Sequence, residues 1–268
     1  MKTHTPSARF ALAAALFVGL TGLSRPLLGA EAPPATPARQ WLSVTFTEVK
    51  PDKVAEFERL QKEELIPALK KAGYTERYAF TRAQFGRGNS YTFSTPLKDL
   101  AHFDDPSPVV KAIGQPALDA LLAKLAACQV STRTAAYRSM PAISIPATDE
   151  RKICVLTVNH LTPGRKAEWT KYWREEMAPA IKKAGLSGYA HYELLFGGDA
   201  NEVASLTWVK NFAEIDKGPA LTLAIGQPAM SEINAKLPPG VVASAERSLM
   251  RSREDLSILP EKKPAAAK

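Results

Sequence analysis

From Trp41 onward the hydrophobic positions change period in a regular order. Leu42, Val44 and Phe46 alternate with Ser43, Thr45 and Thr47, the two-residue period of a strand with one buried face. After Pro51, the positions Phe57, Leu60, Leu65, Ala68, Leu69 and Ala72 recur at helical spacing, and Gly73 stands where a helix-ending glycine belongs. Two strands are predicted next, on either side of a turn at 86–89. A short helical turn at 99–103, a helix broken at "IGQP" and an alternating strand at 129–138 complete the unit. The order is β-α-β-β-α-β, the ferredoxin-like motif.

The same succession returns 112 residues later. Residues 41–125 align with 153–237 without a gap and are identical at 27 of 85 positions. "ELIPALKKAG" (64–73) answers "EMAPAIKKAG" (176–185), and "AIGQPA" occurs unchanged at 112–117 and 224–229. The closing strand of the second unit, 241–251, aligns after one inserted residue. Self-similarity of this kind sets the architecture. The expected fold is α+β, with two tandem ferredoxin-like βαββαβ repeats whose antiparallel sheets pack face to face as a pseudo-dimeric α/β barrel. The repeats span 41–140 and 153–254, joined by a proline-bearing linker at 141–152 and followed by a tail at 255–268. Within each unit "AIGQPA" reads as a corner, with Gly114 or Gly226 ending one helix and Pro116 or Pro228 opening the next. Pro67 and Pro179 fall inside the long helices and predict a kink there.

The element order, the mid-helix "P-A-x-K-K-A-G" and the duplication resemble the dimeric α/β-barrel superfamily over nearly all of 41–253. That group includes antibiotic-biosynthesis-monooxygenase-like (ABM), Dabb-type and NIPSNAP-like proteins. Its members are usually homodimers of single units, so the resemblance implies a fused pseudo-dimer, a monomer open to further pairing. Family functions range over cofactor-light monooxygenation, haem degradation, isomerisation and ligand binding, so membership alone does not choose.

The first 30 residues differ in character. Lys2 and Arg9 precede the apolar run "FALAAALFVGLTGL" (10–23), and Gly29 and Ala30 supply small residues for cleavage. This is the pattern of a Sec-type signal peptide at 1–30, too short for a comfortable span, and it points to a periplasmic or secreted protein with a flexible segment at 31–40. The chain of 268 residues carries a formal charge of +8, and loss of 1–30 removes Lys2, Arg9 and Arg25 to leave +5. The excess is dispersed, without a basic run interleaved with aromatics, which argues against a nucleic-acid partner. Cys128 and Cys154 are too few for a disulfide framework and read as small buried hydrophobes. No phosphate-cradling loop, G-x-S-x-G elbow, H-E-x-x-H or dinucleotide fingerprint is present, so hydrolase, kinase and dehydrogenase classes have no support.

Strand alternation nominates a site in the second repeat. Tyr189, His191 and Glu193 share one face of a strand, and Thr157 and Asn159 share a face of its neighbour. His, Glu and Tyr together equip a wall for general acid–base work or for holding an acidic ligand; cross-strand pairing is the alternative. The aligned positions Arg77, Ala79 and Thr81 do not repeat the set. Glu176, three residues before Pro179, and Arg133 and Tyr137 on the first closing strand are further ligand-binding candidates. No cofactor or metal is expected. Haem is the alternative, because in haem-degrading relatives a helix histidine ligates iron, and His102 is the histidine in a helical position here. Two functions follow: an exported small-ligand-binding barrel, or a monooxygenase-like or isomerase-like enzyme acting on a small aromatic or apolar molecule. An interaction module using Trp169 and Trp173 is a third class, which helix-to-sheet packing of both rings makes unnecessary.

Overall fold

The computed structural model describes residues 38–86, 88–148 and 151–260; the signal segment expected at 1–30 lies outside the described residues. Eight strands form: β1 (Trp41–Val49), β2 (Tyr78–Arg82), β3 (Ser90–Leu97), β4 (Gln129–Ser139), β5 (Ile153–Leu161), β6 (Tyr189–Phe196), β7 (Glu202–Val209) and β8 (Val242–Ser252). They close into one barrel in the order β1-β3-β2-β8-β5-β7-β6-β4. Every pairing is antiparallel.

This corrects the expectation of two sheets packed face to face. The sets β4-β1-β3-β2 and β8-β5-β7-β6 each leave two edges, and those edges pair with one another. One seam is β2 to β8 (Phe80↔Ser252, Thr81↔Arg251, Arg82↔Met250) and the other is β4 to β6 (Ala136↔Phe196 to Ser139↔Tyr192). Closure satisfies edge N–H and C=O groups that two separate sheets would leave open. An eight-stranded barrel is wide enough to hold side chains or one small ligand.

Helices cover the outside. In the first half α1 (Val54–Leu60) runs through a π-helical turn (Gln61–Leu65) into α2 (Ile66–Lys71), and α3 (Pro108–Ile113) is followed by α4 (Gln115–Cys128). In the second, α5 (Lys166–Tyr172), a π turn (Trp173–Met177) and α6 (Ala178–Lys183) are followed by α7 (Phe212–Asp216), α8 (Ala220–Ile225) and α9 (Gln227–Ala235). The π turns sit where the interior prolines predicted a kink. Ile66 N–H donates to Gln61 O and Ala178 N–H to Trp173 O, five residues back, and the widened turn absorbs a proline that has no N–H of its own. Phe57 and Leu60 of α1 are fully buried against Val49, Ala79, Tyr91 and Phe93, each stabilising the layer by about 1.5–3 kcal/mol.

At the "AIGQPA" corners Gly114 and Gly226 have φ of 82° and 84° with ψ near 155°. That is a glycine-only conformation rather than the left-handed helical one expected of a helix end. Gln115 Nε2 donates forward to Asp119 Oδ1 at 2.7 Å within the helix that follows.

Two straps complete the layer, and each crosses to the other half. After β4, residues 141–145 of the linker dock on β6: Ile143 is buried and Ile145 bridges Tyr189. After β8, the start of the segment expected to be a tail docks on β2: Leu256 is buried and Ile258 bridges Arg77. Ser144 Oγ accepts from His191 N–H at 3.0 Å, and Ser257 Oγ accepts from Ala79 N–H at 2.9 Å, so the two straps make the same contact. At the other end, Arg39 and Gln40 are held by Glu193 and Ser139, so residues 38–40 are bound rather than free. Cys128 and Cys154 are both free and buried, and burial pushes the Cys154 thiol up to about 12. Among the described residues no helix is long and apolar enough to cross a membrane.

Candidate functional site

The barrel encloses a cavity of about 1050 Å³. Its wall is built from the even-numbered positions of β1, β5, β6 and β7, because side chains on a strand alternate between lumen and helix layer. Leu42, Val44, Phe46, Leu156 and Leu206 are apolar contributors, and the rings of Phe80 and Trp208, with centroids 5.8 Å apart, also face it.

Arg82, Arg151, Lys152, Glu246, Arg247 and Glu254 line parts of the cavity, and a buried polar pair lies where Tyr137 of β4 reaches the start of β7. Tyr137 Oη donates to Glu202 Oε1 at 2.5 Å, and Glu202 is 7% exposed. Burial, and then this bond to the carboxylate, raise the Tyr137 phenol well above its ordinary pKa, so it stays a donor. Arg133 lines the same end. Its guanidinium donates to Gly197 O at 2.7 Å and lies 4.6 Å from the Phe46 ring centroid. Gly197 is required there. Its φ is 87°, and a Cβ would come within 2.6 Å of the Thr134 carbonyl oxygen. Of the residues nominated from sequence, Arg133 and Tyr137 therefore line the lumen.

The other nominated residues lie elsewhere. Tyr189, His191 and Glu193 occupy the outer face of β6, and Tyr192 between them is the one that lines the lumen. Thr157 and Asn159 share that outward face on β5; Asn159 Nδ2 donates to Ser205 Oγ at 3.2 Å. One wall does form from these residues, but it faces the helices. This corrects the reading of a catalytic wall turned into the cavity. The helices bring Trp169, Trp173 and Ile181, large apolar side chains that must bury against this face of the sheet.

Each member of that wall is absorbed by packing or pairing. His191 is 1% exposed, with ring centroids 5.5 Å from Trp169 and 4.1 Å from Trp173. Its Nδ1 lies 3.0 Å from Ser205 Oγ, and its Nε2 has no hydrogen-bond partner among the described residues. Burial lowers its pKa from the ordinary 6.5 to about 3, so the imidazole is neutral. Glu193 is paired with Arg39 at 2.6 Å, Arg138 at 3.0 Å and Lys166 at 3.6 Å. Tyr189 packs with Ile145, Ala178 and Leu221. Glu176 sits on the outer helical layer in a 2.6 Å ion pair with Lys236, as Glu64 does with Lys124 at 2.8 Å.

Glu202, Tyr192 and Trp208 escaped the sequence reading. Parity was the available signal: the sheet face that receives Trp169 from the helices cannot also be the lumen. His102 lies outside the barrel, its Nε2 3.1 Å from Tyr74 Oη, and is not placed to ligate a group in the lumen. His160 lines the lumen wall, with Nδ1 3.4 Å from Asp199 Oδ2. Among the described residues no group of three or more His, Cys, Asp or Glu is gathered as a metal site.

No family model matches the chain. No curated protein matches it either. Solved structures do match in fold. A monooxygenase-like protein from Lactobacillus acidophilus aligns over 83% of this chain and 97% of its own, with a TM-score of 0.54 and 10% identity. An anthrone oxidase-like protein aligns over 85% and 97%, with a TM-score of 0.53 and 12% identity. A monooxygenase-like protein from Fusobacterium nucleatum aligns over 80% and 93%, with a TM-score of 0.51 and 15% identity. These neighbours share the α+β, antiparallel dimeric α/β-barrel fold, and at such identity the likeness is one of fold.

Proposed function

We propose that this chain is an exported tandem duplication of a ferredoxin-like unit that acts as a monomeric pseudo-dimer and holds a small, mostly apolar molecule inside its barrel. One observation carries the reading: a cavity of about 1050 Å³ with an apolar wall and one buried polar pair, Tyr137–Glu202. Binding sites for small molecules are mostly apolar concavities with a few placed polar groups. The signal-like segment at 1–30 supports export, and the 112-residue self-match supports duplication.

Native mass spectrometry of the protein purified from its own cell envelope tests the binding reading. The expected result is a bound species on the order of a few hundred daltons, weakened in Val44→Trp, whose indole intrudes on the lumen. A bound species held undiminished by both Val44→Trp and Ala204→Trp places the ligand elsewhere and overturns the reading.

The second reading is an oxidising enzyme. It draws on the monooxygenase-like and anthrone oxidase-like neighbours, whose activities belong to them. Oxygen consumption with anthrone as substrate separates the two: turnover lost in Tyr137→Phe supports an enzyme, and no turnover leaves the binding reading.

A further inference from the structure

The lumen is polarised, and its polarity selects a ligand class. Glu202 and Trp208 both face the lumen from β7, six positions apart, which is about 20 Å along a strand. At one end stands a buried carboxylate; at the other stand the Phe80 and Trp208 rings, with Arg151 and the Lys152–Glu254 ion pair also lining it.

Glu202 is the group to explain. Its side chain is buried, its Oε1 receives the Tyr137 phenol, and no Lys or Arg forms an ion pair with it among the described residues. A carboxylate has two oxygens and about four acceptor sites, and one donor leaves most of them open. The only side-chain polar atom sealed from solvent without a partner among the described residues is His191 Nε2, so Glu202 Oε2 is not sealed off. Glu202 lines the lumen, and that oxygen is open to whatever the lumen holds. Arg133 gives one N–H to Gly197 O and stacks on Phe46, while an incoming carboxylate beside Glu202 would meet its like charge.

Resting on the reading of the lumen as a binding site, we propose that its ligand is an apolar, ring-bearing molecule carrying a hydroxyl or amine that donates a hydrogen bond to Glu202. Its body lies along Phe46, Val44 and Leu156 toward Trp208. Donation to a charged acceptor is among the stronger hydrogen bonds, so the donor sets selectivity while the wall supplies affinity. This departs from the acidic ligand that basic residues on the closing strand suggested.

Isothermal titration calorimetry with four matched probes tests it: 2-naphthol, 2-(aminomethyl)naphthalene, 2-methoxynaphthalene and 2-naphthoate. The expected order has the hydroxyl and amine probes binding at least about tenfold tighter than the methyl ether, and the carboxylate weakest. The stronger of the first two identifies the donor. In Glu202→Met the preference for donors falls to within about twofold; in Tyr137→Phe, which keeps the carboxylate, it persists. Equal binding of 2-naphthol and its methyl ether to the unaltered protein, or naphthoate binding tightest, overturns the proposal even if Glu202→Met does not fold. Binding of all four probes undiminished in both Val44→Trp and Ala204→Trp, or of none to the unaltered protein, instead overturns the lumen reading beneath it.

Discussion

Lowering the pH from 7 to 4 loads a proton onto His191 in the unfolded chain and not in the folded one. The folded imidazole is held neutral because burial lowers its pKa from 6.5 to about 3. Its neighbours are Trp169, Trp173, the Ser205 hydroxyl and the strap at Ser144, and none is a carboxylate that could stabilise an imidazolium. Above pH 6.5 both states are neutral and His191 contributes no pH dependence. Below it the unfolded state binds the extra proton, and stability falls by about 1.4 kcal/mol per pH unit until the folded pKa is reached. The loss is about 3 kcal/mol by pH 4 and about 4 kcal/mol by pH 3. Carboxylates held low, such as Glu58 beside Arg253, lose stability in the same direction, so the histidine's share needs a reference. His191→Gln supplies one, since glutamine can still bond Ser205 and does not titrate. At pH 7 the variant should be about 1–3 kcal/mol less stable, from lost contact with the two indoles. Urea unfolding at pH 7, 5.5 and 4 should then show the variant losing about 3 kcal/mol less than the parent across the range. Parallel pH profiles for the two proteins would refute the reasoning, because they would mean that the imidazole is protonated or wet in the folded state.

Other substitutions test the closure and the straps. Gly197→Ala should destabilise by about 2 kcal/mol or more by urea unfolding, because its Cβ would strike the Thr134 carbonyl and Ala135 beside the β4–β6 seam. Gly73→Ala, at φ 86° with nothing within 4 Å, should cost only about 1 kcal/mol. Leu256→Ala and Ile143→Ala each empty a fully buried strap position and should cost about 2–5 kcal/mol; a loss below about 1 kcal/mol in both would mean that the straps are not part of the folded core.

Periodicity made the strands, the helix stripes and the glycine stops legible, because each depends on local spacing that the burial pattern preserves. The 112-residue match made the two halves legible in the same way. Barrel closure was not, since Phe80↔Ser252 and Tyr137↔Leu194 pair residues that no local pattern relates. The match between the two straps was missed for a different reason. One inserted residue shifts the register after the second long helix, so Ser144 and Ser257, which make the same contact, stand 113 apart rather than 112. The site was misplaced because polarity was taken as the mark of the cavity. In the second half both faces of the sheet are covered. Leu156, Val158 and Leu206 face the lumen, while His191, Ser205 and Asn159 lie toward the helices. Polarity alone cannot distinguish a lumen from a packed layer when both are built largely from apolar side chains.

The divergence between the halves makes physical sense as volume exchange in that packed layer. Ala79 pairs across the strands with Phe93, and the corresponding pair in the second half is His191 with Ser205. Small faces large in both, with the order reversed. The helix above follows: Gln61 stands over the first pair and Trp173 over the second, each at the start of a π turn. In the first half, Arg77 lies 4.0 Å from the Phe93 ring centroid and donates to Gln61 Oε1 and Leu256 O, so its buried charge is hydrogen-bonded from both sides. Burial lowers its pKa to about 10, which leaves it protonated at neutral pH. Exchanges that conserve volume are the ones a core tolerates. The sequence differences that first marked this layer as chemistry are therefore accounted for by repacking of the layer. The lumen follows another rule. Glu202 replaces Ser90 of the first half, yet it leaves the carboxylate beside one tyrosine rather than inside an ion pair, a cost that packing does not require. A buried charge without a packing reason is what the proposed ligand would complete.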